Sequence, residues 1–436
     1  MTGQPSRQTA VIVGGGIAGR AAALALHRVG ISATILEARA QTPSTSAGIQ
    51  LSPNAMRVIE QLGVAEHLAA NAVDPKQIRI RDARTASILC ALPLGSVAPR
   101  RWGERYWVCH RNDLAAALDH AIARRQSNAG GVSGTAQDGA SPTIEIRRGA
   151  RVVELEQTGS PTVVLDDGSR VSGDFIVGAD GMRSTVRRCL FDDGAPRDTG
   201  FTAYRTVLNC DDLSSSHTAV SQEPAVEVWA AERAHMVTYP VSAGRALNVV
   251  AIVEGDGTPA GEKYETAHRR SVEGWETSVP HERLANAFAD ACSDVRAITA
   301  AARIVHAWPL FDRAPRRVWS HGRAVLIGDA AHPMLPSMAQ GAAMALEDAW
   351  SLAQVVRYPT QGAQPLVAAF ENLTATRRDR TARVQRRAAQ NLSMFHRHGL
   401  LGRLRVDLPL RIAGLLAPAL LVSRQDWIYA HDVTKT

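Results

Sequence analysis

Two short apolar runs, Ala10–Val13 and Ala33–Leu36, flank a stretch that sets Gly14, Gly16 and Gly19 in the spacing G-x-G-x-x-G, just where a helical pattern begins. Each glycine has its own physical use. Gly14 permits the tight turn, Gly16 lets the backbone approach a pyrophosphate, and Gly19 lets the helix pack on the strand. The helix N-terminus adds amide donors and a partial positive charge. Glu37 closes the second run eighteen residues after Gly19, where a carboxylate would accept hydrogen bonds from ribose hydroxyls. Strand, glycine turn, helix, strand and acid together predict a dinucleotide-binding unit. FAD and NAD satisfy these residues equally, so the choice between them must come from elsewhere in the chain.

A chain of 436 residues has room for two or three domains and a large core. Hydrophobic residues make up 45% and charged residues 21%, the balance of an ordinary globular protein, and no stretch reaches the length of a membrane-spanning helix. The late apolar segment "IAGLLAPALLV" is short and carries Pro418, so it reads as a packed helix pair or turn. The polar start "MTGQPSRQTA" lacks an apolar signal region, and a cytoplasmic protein is expected. Five scattered cysteines without a C-x-x-C pair support neither a zinc site nor a disulfide framework, and the fourteen histidines show no H-E-x-x-H spacing, so no metal is expected. The net charge is +7 and the pI near 9.5, yet the arginines are dispersed. Nucleic acid and membrane are therefore not expected partners, and a small anionic substrate is favoured.

The coarse pattern is α/β. A loop and helix ("AGIQLSPNAMRVIEQLGVAEHL") precede three strands ("KQIRIRD", "ASILCALPL", "RYWVCHR") and a helix, "RNDLAAALDHAIARRQ". The Gly- and Ser-rich stretch 127–142 reads as a surface loop. Strands then resume, with a hairpin turn at Asp167-Gly168. Residues 191–296 alternate like strands around one helix near "HERLANAFADAC", and the last third is mainly helical. The expected division is a discontinuous dinucleotide-binding domain (1–75, 110–190 and 300–375), a β-sheet substrate domain (76–109 and 191–299) and a C-terminal helical region (376–436). No internal repeat is present.

Two further motifs stand out. In "DFIVGADGMRSTVR" a buried strand ends in Gly178, Asp180 and Gly181, with Arg183 and Arg187 following; by itself this is a strand-end turn. In "GRAVLIGDAAHPMLPSMAQGAAMALEDAWSL" a strand ends in Gly328-Asp329, a loop carries Pro333 and Pro336, and Gly341 starts a small-residue helix. Asp329 would accept from sugar or ribityl hydroxyls. The helix N-terminus near Gln340 and Gly341 would turn its positive end toward an anionic ring.

With these three motifs in this order, the chain resembles the single-component (group A) FAD-dependent aromatic hydroxylases of the p-hydroxybenzoate hydroxylase fold; "WPLFDRAPRRVW" and "DWIYAHDV" extend the likeness along nearly the whole chain. The segments "AGIQLSPNA", "YWVCHRNDL", "AYRTVL" and "HMVTYPV" are most similar to the branch of salicylate hydroxylase, 3-hydroxybenzoate 6-hydroxylase and 6-hydroxynicotinate 3-monooxygenase. The resemblance implies a Rossmann-like FAD-binding domain interleaved with a β-sheet substrate domain, followed by C-terminal helices. It also implies FAD held at the first motif, NADH or NADPH as co-substrate without a fingerprint of its own, and a flavin hydroperoxide formed with O2 that attacks an electron-rich aromatic acid. By resemblance Arg111 touches the flavin side, Pro336 to Gly341 line the flavin ring, and Tyr106, His235 and Tyr239 face the substrate. Gln50 stands where the 6-hydroxynicotinate enzyme has a histidine, a departure that weighs against a pyridine substrate.

His235 and Tyr239 are four apart in a strand pattern, so both should point to one face, and an imidazole suits removal of a phenol proton near neutral pH. Core packing is the alternative reading of the same pair. His332, beside Pro333, is expected to be structural, and His110 is left unassigned. Arg205 is a candidate for a substrate carboxylate, with a solvent-facing strand arginine as its alternative. Three other readings stay open: decarboxylating hydroxylation, a flavin-binding protein without turnover, and a two-dinucleotide reductase. The late helices are expected to pack on the FAD domain or on a second chain, which leaves a homodimer open.

Overall fold

The computed structural model describes residues 8–41, 47–130, 141–213, 223–255, 277–357, 363–396, 399–416 and 418–435. The strand Thr9–Val13 sits near the middle of a six-stranded sheet in the order Ser320–His321, Ala324–Leu326, Phe175–Gly178, Thr9–Val13, Ser32–Glu37, Ile144–Arg148. All neighbours pair in parallel except the first two. The central strands Thr9–Val13 and Phe175–Gly178 are covered on both faces, which is why they are apolar without alternation, whereas the edge strand Ile144–Arg148 alternates. The helix Ile17–Arg28 buries Ala21, Ala22, Ala23 and Leu24 completely, and its small side chains let the helix Gly341–Val356 pack close. Gly14 has φ +107°, and a Cβ there would lie 2.4 Å from the Ala179 carbonyl oxygen; a Cβ on Gly19 would lie 1.9 Å from the Gly14 carbonyl oxygen. Turn and helix therefore meet at backbone distance, which no side chain allows.

The second large sheet has eight strands in the order Thr277–Val279, Val305–Asp312, Arg197–Asn209, Ala246–Glu254, Ala234–Val241, Ala225–Ala230, Gln77–Asp82, Ile88–Pro93. Strand alternation splits its side chains between two faces. Trp229, Met236, Val249 and Ala251 pack with Leu284 and Val295 of the short helices Glu282–Ala287 and Ser293–Ala301. The opposite face carries His235, Val237, Tyr239, Val250 and Arg205 and looks toward the dinucleotide layer.

The strands Thr162–Leu165 and Arg170–Ser172 form the expected hairpin. Gly168, at φ +82°, donates to the Leu165 carbonyl oxygen at 3.0 Å, so the turn is a three-residue loop closed by a left-handed glycine.

Several expectations need correction. The segment read as a loop before the Pro53 helix contains the strand Gly48–Leu51, which pairs antiparallel with Trp107–His110. Four residues are too few to show alternation, and only partners such as Val108 opposite Gln50, 58 positions away, reveal the strand. This pairing draws 107–109 out of the expected substrate segment 76–109. Conversely, Val305–Asp312, expected in the dinucleotide domain from residue 300, pairs with Arg197–Asn209 in the eight-stranded sheet. The stretch expected as a surface loop lies mostly outside the described residues, at 131–140.

The last third is helical, with Ala363–Phe395, Gly399–Leu416 and Pro418–Ser423 in succession. The axis turns by 106° between Arg405–Gly414 and Ala419–Tyr429, and the segment expected to be a packed helix pair or turn leaves Ile412, Leu416 and Leu420 exposed. Among the described residues no single helix is long and apolar enough to cross a membrane.

A buried charge network ties these helices to the dinucleotide layer. Arg377 Nη1 donates to Glu347 Oε2 at 2.5 Å and its Nε to Asp348 Oδ1 at 2.8 Å, with all three side chains essentially inaccessible. Arg380 Nη2 donates to Glu347 Oε1 at 2.8 Å, and Asn54 Nδ2 to the same atom at 2.7 Å. Asp348 Oδ2 accepts from the Gly328 amide at 3.0 Å and lies 2.5 Å from His332 Nε2, which gives His332 the structural place expected of it. Burial alone would push both carboxyls up, but Arg377 and Arg380 hold Glu347 down at about 2, and His332 and Arg377 hold Asp348 down at about 2. Because these folded-state values lie below the ordinary 4.5 and 3.8, the stabilisation is complete above about pH 5 and is lost as pH falls toward 2. Arg377→Met should cost about 3–5 kcal/mol of unfolding free energy at pH 7, since two buried carboxylates lose their shared partner. Urea titration checks the figure, and the gap between variant and wild type should narrow between pH 5 and 3.

Candidate active site

A continuous cleft of about 1610 Å³ runs from the glycine turn at Gly14–Ile17 to the inner face of the eight-stranded sheet. It exceeds the roughly 300–1,000 Å³ of a single-ligand pocket. Its two ends differ in chemistry.

At the dinucleotide end, a Cβ added to Gly16 would meet nothing within 4 Å, unlike one at Gly14 or Gly19. Gly16 is thus spared a side chain for the sake of the cleft, while Gly14 and Gly19 lack one for the sake of the fold. The first turn of the helix Ile17–Arg28 carries no acid, and Gly16 makes no side-chain cap, so its leading amides and positive end are available to an anion. Glu37 accepts from the Gly15 amide at 2.8 Å and from the Arg39 amide at 3.0 Å, which holds its carboxylate at the rim where a ribose would lie.

Asp180 lines the cleft, but its carboxylate also accepts from Ser184 Oγ at 2.5 Å and from the amides of Thr185 and Val186 at 2.7 and 3.1 Å. Burial pushes this carboxyl up and those hydrogen bonds oppose it. Asp180 therefore caps the helix Thr185–Phe191 and fixes the turn at Gly181, whose φ is +80°. Asp329 opens onto the cleft beside the start of the helix Gly341–Val356, its Oδ1 3.9 Å from where a Gly341 Cβ would stand. Burial pushes it up, while His332 and Arg111 pull it down. Arg111 begins the helix Arg111–Gly130 and lines the same stretch of cleft; burial lowers its guanidinium and Asp329 opposes that shift. Pro336 and Ala339 follow along the wall.

Three residues expected at the cofactor stand elsewhere. Gly19 and Gly328 do not line the cleft; a Cβ on Gly328 would come within 3.1 Å of the Ala18 Cβ and 3.2 Å of the Ala345 Cβ, so its role is helix approach. The Gln340 side chain turns inward, where Nε2 donates to Ser52 Oγ at 2.9 Å and Oε1 accepts from Asn54 Nδ2 at 3.2 Å. Gln340 holds the loop that carries Pro336 and does not itself reach the cleft.

At the sheet end, the structure brings together Gln50, Tyr106, Arg205, His235 and Tyr239, all lining the cavity. Tyr106 Oη donates to Gln50 Oε1 at 2.6 Å, and its ring stands 5.9 Å from that of Tyr429 at 70°. Tyr239 lies across Gly48, where a Cβ would come within 2.6 Å of its ring, and the Gly48 amide donates to Asn248 Oδ1 at 2.6 Å. Burial pushes the phenols of Tyr106 and Tyr239 well up, so both stay protonated. Arg205 stacks its guanidinium over Trp308 at 4.5 Å, a partly buried place in the cavity wall instead of open solvent. Register places Arg205 and Val237 on opposite sides of Val250, level with each other on one face.

His235 is 1% exposed, with Nδ1 2.9 Å from His396 Nε2 and Nε2 without a hydrogen-bond partner among the described residues. Burial first, then His396, drives its pKa far below the ordinary value, and the ring is neutral at pH 7. Sequence reasoning missed His396. It lies 161 residues from His235 at the end of a helix, and no local pattern marks it.

A family model described as an FAD binding domain matches residues 7–388. The chain belongs to this family, that of the FAD-dependent aromatic hydroxylases. The family binds FAD, and the leading helix amides after Gly16 with Glu37, Asp329 and Arg111 along the same cleft are a set that fits it. The hydroxylase is 32% identical over 435 residues to the 3-hydroxybenzoate 6-hydroxylase of Polaromonas naphthalenivorans (strain CJ2), covering 99% of this chain and 98% of that one. It is 32% identical over 384 residues to the 6-hydroxynicotinate 3-monooxygenase of Pseudomonas fluorescens, covering 87% and 90%. Among solved structures, a salicylate hydroxylase in a substrate complex superposes with a TM-score of 0.76 at 25% identity, over 99% of this chain and 97% of that one.

The two uses of glycine can be separated by experiment. Gly16→Val, at an extended backbone position with space in front of it, should leave apo-protein stability within about 0.5 kcal/mol yet weaken FAD binding by ~10-fold or more. Gly19→Ala should lower both, because its Cβ falls on the Gly14 carbonyl. Urea unfolding and flavin-fluorescence titration of the apo-protein measure the pair.

Proposed function

We propose that this hydroxylase uses NADH or NADPH and O2 to hydroxylate a small phenolic or heteroaromatic carboxylic acid, and that the acid keeps its carboxyl group. The observation that carries this reading is the sheet face on which His235, with its Nε2 unpartnered and buried, shares a wall with Tyr239 and Arg205. The two relatives compared above are named for a hydroxybenzoate and a hydroxynicotinate, both ring acids with a hydroxyl group.

When bound, FAD supplies reducing equivalents from the nicotinamide and activates O2 toward the ring. The rest falls to the protein. Arg205, held flat by Trp308, offers parallel N–H donors to the carboxylate. Tyr239 keeps its proton and can orient the substrate hydroxyl by hydrogen bonding, while Tyr106 gives its own hydrogen bond to Gln50. Neutral His235 accepts the hydroxyl proton at Nε2, which makes the ring electron-rich where oxygen is to be added. Val228, Val237, Val250 and Ile80 floor the cavity and keep water from the reacting centre. Cys90 also lines this floor, with burial pushing its thiol up and away from thiolate reactivity.

The test is NADH and NADPH oxidation by the FAD-loaded protein across 3-hydroxybenzoate, salicylate and 6-hydroxynicotinate, with the mass of each product. Gain of one oxygen with the carboxyl retained supports the reading; loss of the carboxyl selects decarboxylating hydroxylation. Absence of stimulated oxidation with every acid would overturn it. With a turned-over acid, His235→Gln should lower kcat by about 10²–10⁴-fold. Arg205→Met should instead act mainly on KM, raising it by about 10–100-fold through loss of a charge-assisted contact of roughly 1.5–3 kcal/mol.

A further inference from the structure

We infer that His396 is the positioning residue of the site: its Nε2 accepts the Nδ1–H of His235 and so holds His235 in the tautomer whose Nε2 is bare and can take a proton from the substrate. The inference rests on the reading of His235 as the base.

The geometry is that of a built pair. The two nitrogens are 2.9 Å apart, the rings cross at 72°, and both residues are buried, at 1% and 3% exposure. Phe201 packs edge-on against His396 with centroids 5.0 Å apart, and Phe395 lies 5.2 Å from His235. Neither imidazole is free to swing away.

Between two neutral imidazoles one nitrogen must donate and the other accept. Two arrangements satisfy the 2.9 Å contact. If His235 carried its proton on Nε2, that atom would be a donor facing the substrate and useless as a base. If it carries the proton on Nδ1, Nδ1 donates to His396 Nε2, and Nε2 of His235 keeps its lone pair. Proton abstraction requires the second arrangement, which in turn requires His396 to carry its own proton on Nδ1. His396 thus does for His235 what the orienting third group does in a nucleophile–base–orienter constellation.

A histidine suits this place better than a carboxylate. The pair is buried, and the substrate is itself an anion once its hydroxyl is ionised, so a second fixed anion would oppose that ionisation. Among the described residues, register places on this face around His235 the titratable or charged side chains Tyr239 on its own strand, Glu254 two residues beyond Ile252 on the adjacent strand, Asp82 two strands away on one side and Arg205 two strands away on the other, with His306 beside Arg205. The proton balance is simple. The substrate O–H bond breaks, an N–H bond forms at His235 Nε2, and the positive charge spreads through Nδ1–H onto His396. Pair and substrate together keep the same net charge.

The test uses the FAD-loaded enzyme labelled with ¹⁵N-histidine. Long-range ¹H–¹⁵N spectra report which ring nitrogen carries hydrogen, and the His235 signals are assigned by their loss in His235→Gln. The wild type should show His235 protonated at Nδ1 and bare at Nε2. His396→Phe, which fills the space without an acceptor, should abolish that preference. His396→Gln, whose Oε1 can accept in place of Nε2, should restore it. With 3-hydroxybenzoate and NADH as the probe pair, His396→Phe should lower kcat for product by about tenfold or more with KM changed less than about twofold, and His396→Gln should recover most of the loss. A wild-type His235 protonated at Nε2, or a His396→Phe enzyme with unchanged tautomer and kcat, would overturn the inference. Should His396→Phe fail to load FAD, the wild-type tautomer and its retention in His396→Gln decide the matter. Failure of the wild type to hydroxylate 3-hydroxybenzoate would count against the substrate reading alone, since the tautomer is read without turnover.

Discussion

Glu347 and Asp348 place two carboxylates side by side inside one helix, both fully buried, and the rest of the molecule is arranged around making that tolerable. A buried anion is costly unless it is paired and its remaining lone pairs are used. Arg377 spans both residues, Arg380 and Asn54 complete Glu347, and the Gly328 amide with His332 completes Asp348. The same contacts carry structure outward. Arg380 donates to the carbonyls of Trp427 and Ile428, and Arg57 to those of Tyr429 and His431, so the end of the chain is fastened to the layer that holds FAD. Tyr429 is thereby set against Tyr106, the residue that holds Gln50. The loop at Pro336 and the wall of the cleft at Tyr106 are thus braced by a single electrostatic knot.

The second organising constraint is the alternation of the eight-stranded sheet. One set of side chains closes a core with Leu284 and Val295, and the intervening set makes the wall of the cleft. A one-residue slip would exchange Met236 for His235, so the packing of the core face holds the register of the chemistry on the other. The sheet end of the cleft sets Val228, Val237, Val250 and Ile252 beside His235, Tyr239 and Arg205, a set chosen by which alternate residues of each strand face it.

Much of this was legible in the sequence because the signals are local. The glycines at 14, 16 and 19 report turn geometry and close approach within a few residues of themselves, and the parity of His235 and Tyr239 follows from a single strand. Where legibility failed, the missing information was a partner distant in sequence. Gln340 sits in the right motif, but its side chain answers to Ser52 and Asn54, nearly 300 positions earlier. Gly48–Leu51 became a strand because Trp107–His110 came to lie beside it, and Val305–Asp312 joined the second sheet because Arg197–Asn209 was there to pair with.

The sequence by itself determined that a dinucleotide would be held at a glycine turn and that His235 and Tyr239 would share a face, since φ angles, helix dipoles and strand alternation act over a handful of bonds. Only the tertiary structure decided which nitrogen of His235 remains unpartnered, which acids serve as caps or counter-ions and which face the ligand, and what braces the site. Those outcomes depend on desolvation and on contacts made only in the folded chain, from the cap at Asp180 and the pairing of Arg377 with Asp348 to His235 with His396, 161 positions apart, which meet once the two layers have closed on each other.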